Sequence, residues 1–179
     1  MDLEHKFSRI GTEVQVSDGT IVAGYASLFG SVDQGNDVVE KGAYRASLDR
    51  LSAKGGRVKM LWQHDPAQPI GVWDEVREDD RGLWVKGRIL TDVARGREAA
   101  ALIGAGAIDG LSIGYRTLRA TKADNGRRHL TELELWEVSL VTFPMLPEAR
   151  VAAKGDDTGA EALRALATVF RDARGLFSD

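Results

Sequence analysis

The sequence predicts a mainly β domain flanked by a few helices. Short runs in which apolar and polar residues alternate recur along the chain, and turn signals such as Asp-Gly and Asn-Gly separate them. Residues 42–52 and 94–103 instead carry apolar side chains at helical spacing. With 179 residues, 43% of them hydrophobic, the chain is long enough for one domain with a full core.

Alternation and turn signals together define the predicted strands. They cover residues 14–16, 20–25, 57–64, 70–73, 83–89, 111–118 and 130–142. The first two strands are predicted to form a hairpin around Asp18-Gly19. A charged turn over residues 78–82 joins the fourth strand to the fifth, and Asp124-Asn125-Gly126 joins the last two.

Two predicted helices accompany these strands. One face of the helix over residues 42–52 carries Tyr44, Leu48 and Leu51. This helix is therefore expected to lie on the sheet and to end at Gly55-Gly56. The second helix is predicted to be capped by Thr91-Asp92 and to end at Gly104 and Gly106.

Three of the strands carry polar residues at informative positions. His64 is predicted to end the apolar face of its strand, before Asp65-Pro66 breaks that strand. Ser112 shares a strand face with Gly114, whose lack of a side chain leaves room for a substrate. Glu137 is predicted to share one face with Leu133, Leu135, Ser139 and Val141, and so to stand in an apolar row.

The composition excludes several kinds of site and partner. The chain has no cysteine, so a disulfide, a thiolate metal site and a cysteine nucleophile are all excluded. A net charge of -3 with scattered basic residues predicts no nucleic-acid partner, and neither a membrane span nor a signal peptide is expected. A protein or peptide partner is therefore expected. Asp33 and Asp37 are expected to serve turns and not a metal ion.

The C-terminal part of the sequence predicts a tail beyond one folded domain. The domain is expected over residues 1–151, followed by a linker over 152–159 and an amphipathic helix over 160–179. The apolar face of that helix carries Leu163, Leu166, Val169 and Phe170. The helix is expected to pack either on the domain or on a partner.

Ser112 is the candidate nucleophile because it stands in a Gly-x-Ser-x-Gly pentapeptide. In an α/β-hydrolase such a serine lies between a strand and a following helix, whereas here the helix comes first, so a nucleophile elbow is excluded. A serine still needs a base and a group that orients the base, and His64 and Glu137 are the candidates. Taken singly, the histidine also fits a hydrogen-bonded core residue, and the glutamate fits a buried ion pair.

Three motifs in order resemble those of a known family. They are Trp62-Gln63-His64-Asp65, Leu111-Ser112-Ile113-Gly114-Tyr115 and Trp136-Glu137-Val138-Ser139-Leu140-Val141-Thr142-Phe143-Pro144. With these motifs the chain resembles the prohead maturation proteases of tailed bacteriophages, which are serine peptidases related to the herpesvirus assemblins. The resemblance extends from about Gly24 to Val151. One departure is Pro144-Met145-Leu146-Pro147, where the family commonly has Pro-Ala-Asn-Pro.

The resemblance implies a fold and a site. The implied fold is a closed, mostly antiparallel β-barrel of the herpesvirus-protease type with flanking helices. The implied roles are nucleophile for Ser112, general base for His64 and third catalytic residue for Glu137, with Glu134 and His129 as the alternatives for the third position. No cofactor and no metal are implied.

The same resemblance implies a serine endopeptidase of capsid maturation. The expected substrates are scaffold protein, the N-terminal scaffolding segment of the major capsid protein, and the protease itself. The expected location is the interior of the procapsid in the bacterial host cytoplasm. Two other interpretations stay open: a non-enzymatic capsid assembly protein that binds coat protein through the C-terminal helix, and a general serine esterase. The oligomeric state also stays open, and a homo-oligomer is one of the alternatives.

Overall fold

The computed structural model describes residues 4–7, 14–15, 20–123, 126–144 and 151–152, which form ten strands and two helices. The strands are β1 Glu4–Phe7, β2 Val14–Gln15, β3 Ile21–Leu28, β4 Asp37–Val39, β5 Lys59–Trp62, β6 Asp65–Glu78, β7 Gly82–Ile89, β8 Gly110–Lys122, β9 Arg128–Val141 and β10 Val151–Ala152. The helices are α1 Arg45–Ala53 and α2 Ala94–Gly104. The mainly β class is confirmed. Apart from Ala152, the predicted linker and the predicted C-terminal helix lie outside the described residues.

Eight of the strands form one curled sheet. Their order is β1-β8-β9-β5-β6-β7-β3, and β4 pairs with the beginning of β9. Neighbouring strands are antiparallel except for the two parallel pairs that β9 makes with β4 and β5. The remaining strands, β2 and β10, form a small parallel sheet of their own. The long strand β9 thus contacts three other strands and lies at the centre of the fold.

The curled sheet is an open half-barrel, so the expectation of a closed barrel is wrong. β1 and β3 are the two ends of the strand order, and no ladder joins β3 to β1 or to β8 within the described residues. The other edge of β8 pairs with β1 over residues 112–115.

Both strands of the predicted N-terminal hairpin are present, but they form no ladder with each other within the described residues. β3 pairs antiparallel with β7, and β2 pairs in parallel with β10. The predicted turn at Asp18-Gly19 lies outside the described residues. Each of the two strands thus pairs with a partner far along the chain.

His64 lies in a two-residue turn between β5 and β6 and does not end a strand as predicted. Trp62 pairs with Asp65, and Gln63 and His64 between them have φ angles of 53° and 62°. Two consecutive left-handed residues are typical of a type I′ turn, whose twist matches that of the flanking strands. Asp65 and Pro66 accordingly begin β6 instead of breaking a strand.

Strand β9 carries an extra residue opposite β8 close to the predicted site residue Glu137. Gly114 pairs with Glu137 and Tyr115 pairs with Leu135, which leaves Trp136 unmatched as a β-bulge. Because side chains alternate along a strand, one extra residue moves all the following side chains to the other face of the sheet.

This bulge overturns the predicted apolar row. The β9 residues in the hydrophobic core are Leu130, Leu133, Leu135, Val138 and Leu140. The numbers of the core residues change from odd at Leu133 and Leu135 to even at Val138 and Leu140 across the bulge at Trp136, so Glu137 lies on the face opposite to Leu133 and Leu135. It shares that face with Ser112, because paired residues of antiparallel neighbours point to the same side.

Both helices pack on the sheet. α1 confirms the first predicted helix and contacts β9 and β6, with Leu48 and Leu51 against the core. α2 contacts β6 and β7. Its N-cap is Val93, without a side-chain cap, so the predicted Thr91-Asp92 cap is wrong. These two residues instead belong to a turn closed by the Val93 N–H and the Leu90 carbonyl. Neither helix has the length or the apolar run that crossing a membrane requires.

Candidate active site

Ser112, His64 and Glu137 form one hydrogen-bonded chain. Oγ of Ser112 lies 2.6 Å from Nε2 of His64, and Nδ1 of His64 lies 2.6 Å from Oε1 of Glu137. The three residues come from β8, from the β5–β6 turn and from β9, and His64 is 48 and 73 positions away from its two partners. The structure therefore brings together the three residues that the sequence indicated.

The pairing of β8 with β9 sets the spacing between the serine and the acid. Ser112 is opposite Ser139, and Gly114 is opposite Glu137. Glu137 therefore points to the same face of the sheet as Ser112 and belongs to the next residue pair along that face. Ser112 is fully buried and Glu137 is 3% exposed. Burying a carboxylate is strongly unfavourable unless hydrogen bonds satisfy it, so Glu137 depends on its donors.

Four hydrogen bonds with β9 and the residue after it hold the turn that carries His64, one of them from the Thr142 backbone N–H to Oε1 of Gln63 at 3.4 Å. The backbone N–H of Gln63 donates to the Leu140 carbonyl at 3.0 Å, and its side-chain amide donates to Oγ1 of Thr142 at 2.7 Å. The backbone N–H of His64 donates to Oγ of Ser139 at 3.1 Å. A left-handed residue with a Cβ costs about 1–2 kcal/mol, which these bonds offset.

The partners of the imidazole define its tautomer. An ionised Glu137 can only accept hydrogen bonds, so Nδ1 of His64 carries the proton and donates it. Nε2 of the neutral ring is then an acceptor for the hydroxyl of Ser112. In this tautomer a histidine can take the proton of a serine hydroxyl. The arrangement can therefore activate Ser112 as a nucleophile.

Ser139, for which the sequence predicted no role in the site, binds the second carboxylate oxygen of Glu137. The Ser139 hydroxyl donates to Oε2 of Glu137 at 2.5 Å while it accepts the His64 backbone N–H. Ser139 is fully buried. A signal for this contact was present, since Ser139 stands two positions after Glu137 and residues at i and i+2 share a face of a strand.

The glycines beside Ser112 make room for the protein itself, not for a substrate as predicted. A Cβ on Gly114 would lie 2.8 Å from Cδ of Glu137. A Cβ on Gly110 would lie 2.7 Å from the Val141 carbonyl oxygen and 2.9 Å from Cδ of Pro144. Gly114 thus leaves the space in which the carboxylate lies against β8.

The two alternative third residues are engaged in other pairs. Oε2 of Glu134 lies 2.7 Å from Nη2 of Arg116, its register partner on β8. Nδ1 of His129 lies 2.6 Å from Oε1 of Glu40. Of the three candidates for the third catalytic position, Glu137 is therefore the one that the structure brings to the imidazole of His64.

Asp33, in the loop before β4, and Asp37, the first residue of β4, both have structural partners. Oδ1 of Asp33 accepts the backbone N–H of Asp37 at 2.8 Å, which is the turn role expected for it. Arg128 binds both carboxylate oxygens of Asp37, at 2.8 and 2.5 Å. Within the part of the chain that the structure describes, no three His, Asp or Glu side chains are grouped so as to hold a metal ion.

The sequence matches a known protein family. A profile of the caudovirus prohead serine proteases matches residues 9–162, which is most of the chain. The chain belongs to this family. The resemblance inferred from the motifs is confirmed, and the matched region of this prohead protease includes both strands and the turn that form the candidate site.

Two phage proteins are similar in sequence. The prohead protease of Enterobacteria phage HK97 is 31% identical over 159 residues, and the match covers 87% of this chain and 69% of that protein. The capsid polyprotein of Pseudomonas phage PAJU2 is 27% identical over 161 residues, covering 86% of this chain but 23% of the polyprotein.

Two solved structures are similar to this one. The capsid assembly protease of bacteriophage T4 gives a TM-score of 0.61 at 17% identity, covering 79% of this chain and 98% of that one. The varicella-zoster virus protease gives a TM-score of 0.41 at 14% identity, covering 70% and 59%. The similarity to the T4 protein shows the fold.

Proposed function

We propose that this prohead protease is an endopeptidase with Ser112 as its nucleophile, acting on scaffold protein or on the N-terminal scaffolding segment of the major capsid protein. The observation that carries the proposal is the chain of 2.6 Å contacts from Ser112 through His64 to Glu137. The relatives support this class of substrate, because one is a capsid polyprotein and another a capsid assembly protease. The site of action is the interior of the procapsid in the bacterial host.

The proposed reaction begins with acyl transfer to the serine. Oγ of Ser112 attacks the peptide carbonyl carbon, and its proton passes to Nε2 of His64. The carbonyl oxygen becomes an oxyanion that backbone N–H groups stabilise. His64 then gives the proton to the departing amine, the C–N bond breaks, and an acyl-enzyme remains. A water molecule deprotonated by His64 hydrolyses that ester and restores the serine.

Glu137 acts through the histidine in this scheme. It fixes the tautomer with Nδ1 protonated and stabilises the imidazolium that forms during attack. Its 3% exposure keeps solvent and salt from screening this charge interaction. The acid therefore contributes most while the histidine is charged.

Co-expression with the capsid protein of the same phage tests the nucleophile. Wild type is expected to convert the capsid protein to a shorter band on a gel, and Ser112→Ala is expected to leave it intact. Ser47→Ala is the matched control, because Ser47 is also buried but bonds the backbone of Leu135, away from the site. Equal cleavage by wild type and Ser112→Ala would exclude Ser112 as the nucleophile. An intact capsid protein in both would favour a non-enzymatic assembly protein.

The same assay separates the acid candidates. Glu137→Gln is expected to lower the cleavage rate by roughly 10³- to 10⁴-fold, because a neutral amide neither selects the tautomer nor stabilises the imidazolium. Glu134→Gln is expected to cleave normally, since Glu134 pairs with Arg116 in a half-exposed position. An inactive Glu134→Gln beside an active Glu137→Gln would reverse the assignment.

Self-cleavage is part of the proposal. The segment Lys154 to Gly159 has the composition of an accessible linker and is the proposed cut site. Mass spectrometry of the protease recovered from procapsids is expected to show a chain ending in this segment for wild type and a full-length chain for Ser112→Ala. A full-length chain in both samples would exclude cleavage there.

A further inference from the structure

We infer that Ser139 is a positioning residue of this protease, which orients Glu137 and His64 through a single hydroxyl group. The inference rests on the proposed function, because the residues that Ser139 contacts are the proposed acid and base. Its hydroxyl donates to Oε2 of Glu137 at 2.5 Å and accepts the backbone N–H of His64 at 3.1 Å. One buried oxygen atom thus connects the acid with the turn that carries the base.

The acid needs such a partner because its own side chain does not set its orientation. The last torsion of a glutamate is broad and allows the carboxylate to rotate. In this site His64 binds one oxygen and Ser139 binds the other. Two donors on opposite oxygens hold the carboxylate plane, so that Oε1 faces Nδ1 of the imidazole. Without the Ser139 hydroxyl, Oε2 loses that donor in a buried site and the carboxylate can turn away.

The second bond of Ser139 acts on the base. His64 has a left-handed backbone conformation that residues other than glycine rarely adopt. Its backbone N–H is bonded to Ser139, so the direction from which the imidazole enters the site depends on the same hydroxyl. Loss of that acceptor loosens the turn, although the contacts of Gln63 with Leu140 and Thr142 remain.

The geometry distinguishes Ser139 from the nucleophile, although the two serines are register partners on β8 and β9. A hydroxyl has one proton to donate. Ser139 donates its proton to Glu137, whereas Oγ of Ser112 faces Nε2 of His64 at 2.6 Å. Ser139 therefore acts through the other residues and does not react with the substrate.

The test compares Ser139→Ala with wild type in labelling by a fluorophosphonate probe, which loses fluoride to a nucleophilic serine. The maximal labelling rate and the half-saturating probe concentration are measured separately. Ser139→Ala is expected to lower the maximal rate roughly 10- to 100-fold, because a displacement near 1 Å has that effect, and to leave the half-saturating concentration unchanged. Ser139→Cys keeps a weaker donor at the same place and is expected to label at an intermediate rate.

Ser47→Ala is again the matched control, because Ser47 is 2% exposed and accepts the backbone N–H of Leu135 on the same strand at 2.9 Å. Both alanine variants are expected to melt at a lower temperature, but Ser47→Ala is expected to label at the wild-type rate. The Nδ1 proton of His64 supplies an independent readout by NMR. Its downfield resonance is expected in wild type and Ser47→Ala, and is expected to shift or broaden in Ser139→Ala.

The outcomes separate the two hypotheses. A folded Ser139→Ala protein that labels at the wild-type rate, or a Ser47→Ala protein that slows equally, would overturn the positioning role and leave the triad in place. If Ser139→Ala does not fold, Ser139→Thr and Ser139→Cys are compared instead. A wild-type labelling rate in Ser139→Thr with a reduced rate in Ser139→Cys supports the positioning role, and equal labelling rates in the two variants overturn it. Equal labelling of wild type and Ser112→Ala would instead contradict the proposed function itself.

Discussion

Replacing Gly114 by alanine perturbs the acid without changing any residue of the Ser112–His64–Glu137 chain. The new Cβ would lie 2.8 Å from Cδ of Glu137, so the carboxylate carbon must retreat by about 0.6 Å to reach the 3.4 Å of an ordinary contact. Oε1 is nearer to the added Cβ and must move further, out of its 2.6 Å bond to His64. A displacement near 1 Å lowers a rate roughly 10²-fold, and loss of the orienting acid roughly 10⁴-fold. We expect the reaction rate of Gly114→Ala to be lower than that of wild type by a factor between these limits. This factor corresponds to an activation free energy that is higher by about 3 to 5 kcal/mol.

The assay is the maximal rate of fluorophosphonate labelling, with the melting temperature measured in parallel to separate a slow enzyme from an unfolded one. Gly104→Ala is the control, because a Cβ at Gly104, at the end of α2, meets nothing within 4 Å. This control is expected to label like wild type. A folded Gly114→Ala protein that also labels like wild type would refute the claim that the Glu137 carboxylate must occupy this space.

Two further predictions concern acid stability and access to the serine. Burial raises the pKa of Asp79, but hydrogen bonds, chiefly from the Tyr25 hydroxyl and the Arg81 backbone N–H, lower it from 3.8 to about 2. Because the pKa of Asp79 is lower in the folded protein than in the unfolded chain, the ionised carboxylate stabilises the folded state above pH 3.8. This stabilisation is lost as the pH falls toward 2. Asp79→Asn should therefore flatten the dependence of urea unfolding on pH in that window, and an unchanged slope would contradict the assignment. Deleting residues 1–7 removes β1, which pairs Phe7 with the fully buried Ser112. Labelling is expected to become faster, and an equal rate would show that β1 does not limit access.

Helices and strands whose formation depends on residues close together in the sequence were predictable. α1 follows from the spacing of Leu48 and Leu51, and β8 follows from the alternation around Ser112, because both patterns report which side chains face a core. Motifs also indicated three residues that the structure brings into contact. Their catalytic roles stay predictions that the variants described above will test.

The turn at His64 had no local signal. Type I′ turns favour Asn and Gly, whereas this one contains Gln63 and His64. Bonds from the turn to Leu140 and Ser139 stabilise it, and those residues are far along the chain. The sequence therefore predicted a strand that runs through Gln63 and ends at His64, because alternation alone cannot show that the chain turns back at these two residues.

The bulge at Trp136 was equally invisible in the sequence. A regular period of two puts Glu137 among the leucines, and one unmatched residue moves it to the face of Ser112. The open half-barrel was equally absent from the local pattern, since β1 pairs with residues 112–115 of β8 and no ladder joins β3 to β8 within the described residues. Register and edge pairing depend on the partner strand, which no local pattern specifies.

By itself the sequence determined the mainly β class, the family and the three residues of the candidate site, because composition, alternation and ordered motifs are properties of the chain alone. The tertiary structure decided how these residues meet. A left-handed turn brings His64 back to β9, and a bulge places Glu137 over Gly114. A hydroxyl on Ser139 then connects the acid with the base. Each of these three features depends on hydrogen bonds or contacts that form only when the sheet is assembled. Most of these interactions join residues that are distant in sequence.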